Sequence, residues 1–530
     1  MQPPDQHNDG PVRPPSGGLA SRIVRAVGAQ MASQGLRVVQ QILLVPFFLK
    51  AWGIEIYTDW LLINAGVAFL AIFDGGMQPY FSGLLQERLV LGDVARYRRA
   101  GRIATFNYLA IILVAVAVIG AASLAVDWLA LLGVNHLSQA EAYSTMALLA
   151  ANTLVALPFG VANAVYRAHG EYDRGVMMGT GYLAAQIAIP LVLLLMGEPI
   201  TMLAAGTVVG TLISWVVVLI DQKTRYGSLP WGLAIPTMAE QRITAAKCLY
   251  FVSQPITTWL IFQGPLLILG HLSGPVETVA FNTARTLIGL SRQITLQMAY
   301  PFGFELSVLL IRDELAGLRR LLENALSIVA IVGGLLAGAT VAAAAPITML
   351  WLRGRIEIPQ ALILAMAIPI ALSAASQLYP LILSFANRPR LIAHTVGLQA
   401  LIALAFAAML APRFGAWGVA AGLGIGEVVA MVAYLPNRTL RTIGIDRTPQ
   451  APGIVRAILA TILGYGVGRI VLAVIIPSDY PRLAVFAGLW AVIAGLGAFF
   501  LLLNAEQRAV ISAKVSRFRA GYRLPAYSRK

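Results

Sequence analysis

Residues 92–102 read GDVARYRRAGR, and residues 312–322 read RDELAGLRRLL. In each, an aspartate (Asp93, Asp313) precedes an arginine pair (Arg98 and Arg99; Arg319 and Arg320). Each stretch lies between two long apolar runs. Two further matches share nearly the same sequence offset. VYRAHGEYDR closes one apolar run and SFANRPR another, which sets Ala168 against Ala386. The turn MGEPITMLAAG around Gly197 returns as PRFGAWGVAAG around Gly415, at the offset that separates those two alanines. One such match means little; three at nearly one offset, each between equivalent runs, mark a duplicated unit.

The runs themselves set the class. Hydrophobic residues make up 58% of the 530-residue chain and charged residues 12%, against about 25% charged in a soluble domain. A membrane-spanning helix needs about 20 apolar residues. Fourteen runs qualify, near 29–50, 56–85, 103–125, 143–166, 176–196, 200–220, 248–270, 276–306, 323–345, 361–386, 391–411, 416–435, 454–476 and 483–504. With the N-terminus cytoplasmic, 29 basic residues fall in cytoplasmic loops and tails and 5 in outer loops. That asymmetry is the positive-inside signature. The expectation is an all-α polytopic membrane protein of 14 transmembrane helices with both termini cytoplasmic. Two six-helix repeats, related by a pseudo-two-fold along the membrane normal, are followed by two extra C-terminal helices. The boundaries read as a disordered tail (1–28), an N-lobe (29–220), a linker (221–247), a C-lobe (248–435), helices 13 and 14 (454–504) and a basic tail (505–530).

The net charge of +15 is therefore mostly topology. The basic residues are dispersed over short loops without a recognition motif, so a nucleic-acid partner is not expected; the basic tail suits anionic membrane lipids. The single cysteine, Cys248, excludes an intrachain disulfide, and the five histidines have no partner at ligand spacing, so no metal site is expected. No phosphate-binding loop and no catalytic constellation is present, and no cofactor is expected.

Three arginines, Arg37, Arg285 and Arg292, lie inside apolar runs. A charge at the centre of a membrane helix costs at least about 2.5 kcal/mol, so it faces a wet cavity or a partner. No acid lies one turn from any of them. At 100° per residue, Gln30, Ser33, Gln34, Arg37, Gln40 and Gln41 share one arc of helix 1. Asn282, Arg285, Gly289, Arg292, Gln293 and Tyr300 share one arc of helix 8. Such stripes serve either as glue between helices or as a cavity wall, and glue does not require permanent charge. The reading is an anionic substrate bound by Arg37, Gln40, Gln41, Asn282, Arg285, Arg292 and Gln293. Among the acids, Glu427 inside helix 12 is a candidate for ion coupling; Asp74 in FDGGMQPY is a second, with capping or pairing as its competing role.

Pro46, Leu49, Gly53, Tyr57, Trp60, Leu61, Asp74-Gly75-Gly76 and Asp93…Tyr97-Arg98-Arg99 resemble the opening of the polysaccharide (O-antigen, Wzx-type) flippases. These belong to the multidrug/oligosaccharidyl-lipid/polysaccharide (MOP) exporter superfamily. Residues 263–320, with LLILGHLSG, VAFNTARTL, Gln297, Pro301, Glu305 and Asp313, are similar to that family's second half. Gly76 departs from the larger apolar residue usual there. The resemblance implies a bacterial inner-membrane transporter, not an enzyme. It would turn a polyprenyl-diphosphate-linked oligosaccharide to the outer leaflet by alternating access, alongside polymerase or glycosyltransferase machinery. Alternatives are a lipid II flippase or a multidrug antiporter of the same superfamily. A polyprenyl-linked polymerase or glycosyltransferase is a further alternative, but such enzymes carry a large outer loop, and loops 3–4 and 9–10 here are short.

Overall fold

The computed structural model describes residues 19–227, 229–311, 314–385, 389–445, 450–505 and 507–509. The N-terminal tail to residue 18, the motif residues Arg312 and Asp313, the SFANRPR residues 386–388 and nearly all of the basic C-terminal tail lie outside them. Among the described residues the chain is helical, without a strand. It falls into two compact units divided between Trp259 and Leu260.

The first unit holds α1 (Leu19–Val67), a tight 3-10 segment (Ala68–Asp74), α2 (Met77–Val90), α3 (Val94–Ala122), α4 (Trp128–Leu132), α5 (Gln139–Ala156), α6 (Phe159–Ala168), α7 (Tyr172–Leu195) and α8 (Ile200–Tyr226). It also holds most of α9 (Met238–Phe262). Local chemistry sets several starts. The Asp93 carboxylate accepts the Arg96 amide and caps α3; Ser138 and Glu141 form a reciprocal capping box on α5. In FDGG, Gly75 and Gly76 both take positive φ, 56° and 79°, which turns the chain between the 3-10 segment and α2. The buried Asp59 carboxylate accepts the amides of Asn135, His136 and Leu137, tying α1 to the turn before α5. Phe81, Leu85, Tyr97, Ala104 and Val165 form the apolar centre of α2, α3 and α6.

Part of the stretch read as a linker (221–247) forms a strap on this unit. The backbone of Pro230 lies so close to Gly101 that a Cβ there would fall 2.4 Å from its carbonyl oxygen. Trp231 donates its ring N–H to the buried Gln222 (3.1 Å). Glu240, at the start of α9, receives both a 2.8 Å and a 2.9 Å hydrogen bond from Arg99.

The second unit holds α10 (Gly264–Leu272), α11 (Gly274–Ile311), α12 (Leu315–Leu352), α13 (Gln360–Ser373), α14 (Leu378–Phe385) and α15 (Pro389–Glu427). A π-helical segment (Val428–Tyr434), α16 (Leu435–Thr442), α17 (Gln450–Val474) and α18 (Tyr480–Leu501) complete it. Here α12 and α17 pack through reciprocal glycines. A Cβ at Gly334 would lie 2.4 Å from Ala457 O, one at Gly338 2.2 Å from Thr461 O, and one at Gly464 2.4 Å from Leu335 O. Small residues one turn apart let the two backbones touch, the usual means of helix association where lipid is as apolar as leucine. At the corresponding place in the first unit, α3 carries Val114 and Val118, both exposed.

Backbone breaks repeat between the units at nearly the offset seen in the sequence. Gly53 (φ 75°) corresponds to Gly274 (φ 80°), Gly133 (φ 77°) to Arg353 (φ 53°), and Gly197 (φ 80°) to Gly415 (φ 55°). A positive φ interrupts a right-handed helix, so both units break at corresponding places.

The protein is a multi-pass membrane protein. Among the described residues, ten helices are long and apolar enough to span a membrane, or eleven when the bent pair α13–α14 counts as one span; fourteen were expected. Two of the ten are continuous runs of 58 and 53 residues (Ala32–Leu89 and Arg390–Thr442). These hold the breaks at Gly53 and Gly415, each of which the sequence read as the joint between two helices. The charged α11 is not among the ten.

Candidate functional site

Within the first unit, α1, α2, α6 and α7, with the end of α5, line an open cleft of about 390 Å3. Ser33 and Arg37 reach it from α1, Gln78 from α2, Asn163 and Arg167 from α6, and Tyr182 from α7. Asn163 and Arg167 are one helical turn apart, hence on one face of α6. Glycines make the room: a Cβ at Gly160 would lie 1.9 Å from the Gln78 side chain, and one at Gly175 3.1 Å from Asn163 O. Arg37 and Arg167 are both exposed, and neither has a hydrogen bond or ion pair among the described residues. No acid is among the residues that line the space.

The nearby cations of α7 and α8 are differently placed. Arg174 donates both ends of its fork to Asp221, which also accepts the Tyr166 hydroxyl at 2.8 Å. Arg225 donates to Glu171 at 3.2 and 3.3 Å, and Tyr226 joins them. His169 stacks on the Tyr226 ring at 3.8 Å, and burial lowers its pKa, which favours the neutral imidazole. Arg37 and Arg167 are the two cations among the residues lining the cleft.

Of the sequence candidates here, Arg37 lines the cavity, while Gln40 and Gln41 are not among its lining residues. Asp74 accepts the Tyr108 hydroxyl at 2.7 Å and the Gln78 amide at 3.3 Å, the pattern of a capping carboxylate. Arg167 went unnoticed in the sequence because it sits at a run end, where basic residues report topology. Its spacing from Asn163, facing the glycines of the next helix, is the signal that was there to read.

Within the second unit, the two arginines of α11 have separate surroundings. Arg285 donates to the Phe262 carbonyl, and at 2.9 Å to the Asn282 amide oxygen; its guanidinium lies 5.5 Å from the Phe281 ring centroid. Arg292 donates to Glu427 Oε2 at 3.3 Å. Gln399 donates to the same oxygen at 2.6 Å. Glu427 is 4% exposed, and its other oxygen is buried without a hydrogen-bond partner. Two residues treated separately in the sequence, one as a cavity cation and one as an ion-coupling acid, are therefore one ion pair. Their distance along the chain hides this from any local reading. No group of three potential metal ligands occurs among the described residues.

No family model matches this sequence. No curated protein matches it either. Solved structures do match in fold. An inward-facing MATE-family multidrug resistance transporter of the MOP superfamily aligns with a TM-score of 0.64 at 12% identity, over 80% of this chain and 98% of its own. The lipid II flippase MurJ, in an inward closed conformation, aligns with a TM-score of 0.59 at 10% identity, over 91% of this chain and 100% of its own. A mutant MATE crystal structure gives 0.57 at 14% identity, over 81% and 97%. The chain therefore has the fold shared by MATE and MurJ transporters.

Proposed function

We propose that the chain turns a polyprenyl-diphosphate-linked oligosaccharide between membrane leaflets by alternating access, as a polysaccharide-precursor flippase. The carrying observation is the cavity that holds Arg37 and Arg167 without an acid among its lining residues. A planar guanidinium donates paired hydrogen bonds to phosphate oxygens and keeps its charge at any physiological pH. Within the second unit, Arg285 and Arg292, with Asn282 and Gln293 on the same arc, are proposed as an anion-facing set of their own. A multidrug antiporter for cationic drugs is disfavoured, because a cation would meet Arg37 and Arg167 there.

The test is reconstitution into vesicles with a labelled polyprenyl-diphosphate sugar and measurement of its accessibility in each leaflet. Transfer that continues unchanged in the Arg37→Ala/Arg167→Ala protein ends the proposal. The second reading, lipid II as the substrate, is favoured by the 91% of this chain that MurJ covers. Identifying which lipid-linked sugar accumulates after gene deletion separates the two.

A further inference from the structure

Glu427 is an unusual buried carboxylate. Both of its donors, Arg292 and Gln399, converge on Oε2, so Oε1 is left with none. A buried carboxylate with donors on only one oxygen is incompletely compensated for its desolvation. The arginine contact is long at 3.3 Å, and the Arg292 side chain keeps 36% of its surface exposed. One partner of the pair is thus sealed in while the other stays reachable. The α-helix also gives way to the π-helical segment Val428–Tyr434 directly after Glu427. Such irregularities cluster at functional positions, where they let a helix change its register.

Few other groups compete for the carboxylate. Of the elements packed against this end of α15, α13 carries no titratable side chain. The other titratable or charged groups of these elements are Tyr379 on α14, His271 on α10, Glu277, Tyr300 and Glu305 on α11, Tyr434 in the π-helical segment, Arg438 and Arg441 on α16, and Arg390, His394 and Arg413 on α15 itself; Oε1 of Glu427 receives a hydrogen bond from none of them. Arg285, two turns from Arg292 on α11, is held by Phe262 and Asn282.

We infer that Arg292 and Glu427 form an exchange site: an anionic oxygen of the ligand takes the guanidinium, and the released carboxylate takes up one proton. The proton comes from the aqueous phase and adds to a Glu427 oxygen; no other covalent bond changes. One anionic charge and one proton bind together, so the net charge of the pair and its ligand is the same before and after. Gln399 remains hydrogen-bonded to the protonated acid. The inference rests on the reading of Arg292 as an anion-facing residue made under Proposed function.

The test uses the full-length protein in lipid nanodiscs, with inorganic diphosphate as the probe. Difference infrared spectroscopy on adding diphosphate should show the carbonyl band of a newly protonated carboxylic acid, and Glu427→Gln should lose it. Because the competing carboxylate is gone, Glu427→Gln should also bind diphosphate about tenfold more tightly. Arg292→Gln should show the band before any ligand is added, which keeps the test decisive if the first variant fails to fold. A merely structural pair predicts the reverse: binding unchanged or weakened in Glu427→Gln and no new band in the native protein. Diphosphate that binds without proton uptake removes the exchange alone. A native protein that binds no diphosphate removes the proposed substrate as well.

Discussion

A Cβ placed on Gly415 would lie 2.0 Å from Oε2 of Glu277, the oxygen that accepts the Ala416 amide at 2.6 Å. The turn between two long helical runs is thus closed by a carboxylate reaching over a bare backbone. Gly415→Ala must both displace Glu277 and hold a positive φ. Gly197, its counterpart in the first unit, has nothing within 4 Å, so Gly197→Ala meets only the cost of its φ of 80°. The expected losses are about 3 kcal/mol or more at Gly415 and about 1 kcal/mol at Gly197. Thermal unfolding in detergent compares the two, and equal losses would show that Glu277 has no part in the turn.

Arg37→Ala and Arg167→Ala should each lower transport at least tenfold while membrane insertion is unaffected. Arg37→Lys should retain only part of the native rate, because a point charge replaces a fork. Vesicle transfer assays with immunodetection of inserted protein provide both readouts. Normal transfer by the Arg167 variant would remove the α6 wall from the site.

The Arg99–Glu240 contact predicts a small acid-sensitive term. Hydrogen bonds from Arg99 and from Thr237 hold the Glu240 carboxyl down at about 2, from an ordinary 4.5. A lowered folded-state value means the contribution is fully present above 4.5 and is lost as pH falls toward 2. Both groups are largely solvated, so the effect is modest. Unfolding curves of Glu240→Gln should lie below those of the native protein at neutral pH and converge with them in acid. A gap that stays constant with pH would contradict this.

Reporter fusions test orientation. Insertions in loops 2–3 and 8–9 should report the cytoplasm and those in loops 3–4 and 9–10 the exterior. If loops 2–3 and 3–4 report the same side, the fourteen-helix topology is wrong.

Much of this architecture was legible because it is periodic. Apolar runs mark the helices, and the repeat shows in turn residues such as Gly197 and Gly415, where backbone geometry restricts the choice of side chain. Arg37 stood out because a charge in an apolar run is costly anywhere. What stayed hidden is tertiary. Arg292 finds Glu427 from a distant part of the chain, and no spacing rule links them. The strap formed by Pro230 and Trp231 looks like a linker because proline, glycine and serine surround it. Gly334 and Gly338 look like ordinary membrane-helix glycines until Gly464 is seen against them.

Those glycines bear on how the chain can be divided. The groove on α12 is shaped to receive α17, and Trp490 of α18 donates its ring N–H to the Gly464 carbonyl at 3.0 Å, fastening α18 to the same helix. The last two helices are a lid fitted to a socket rather than an independent extension. Trimming the chain to its two repeats would open that socket to lipid along a floor of bare backbone. Supplied as a separate polypeptide, α17 and α18 carry the surface needed to reseat in it, so the protein is suited to reassembly from two pieces split ahead of Gln450.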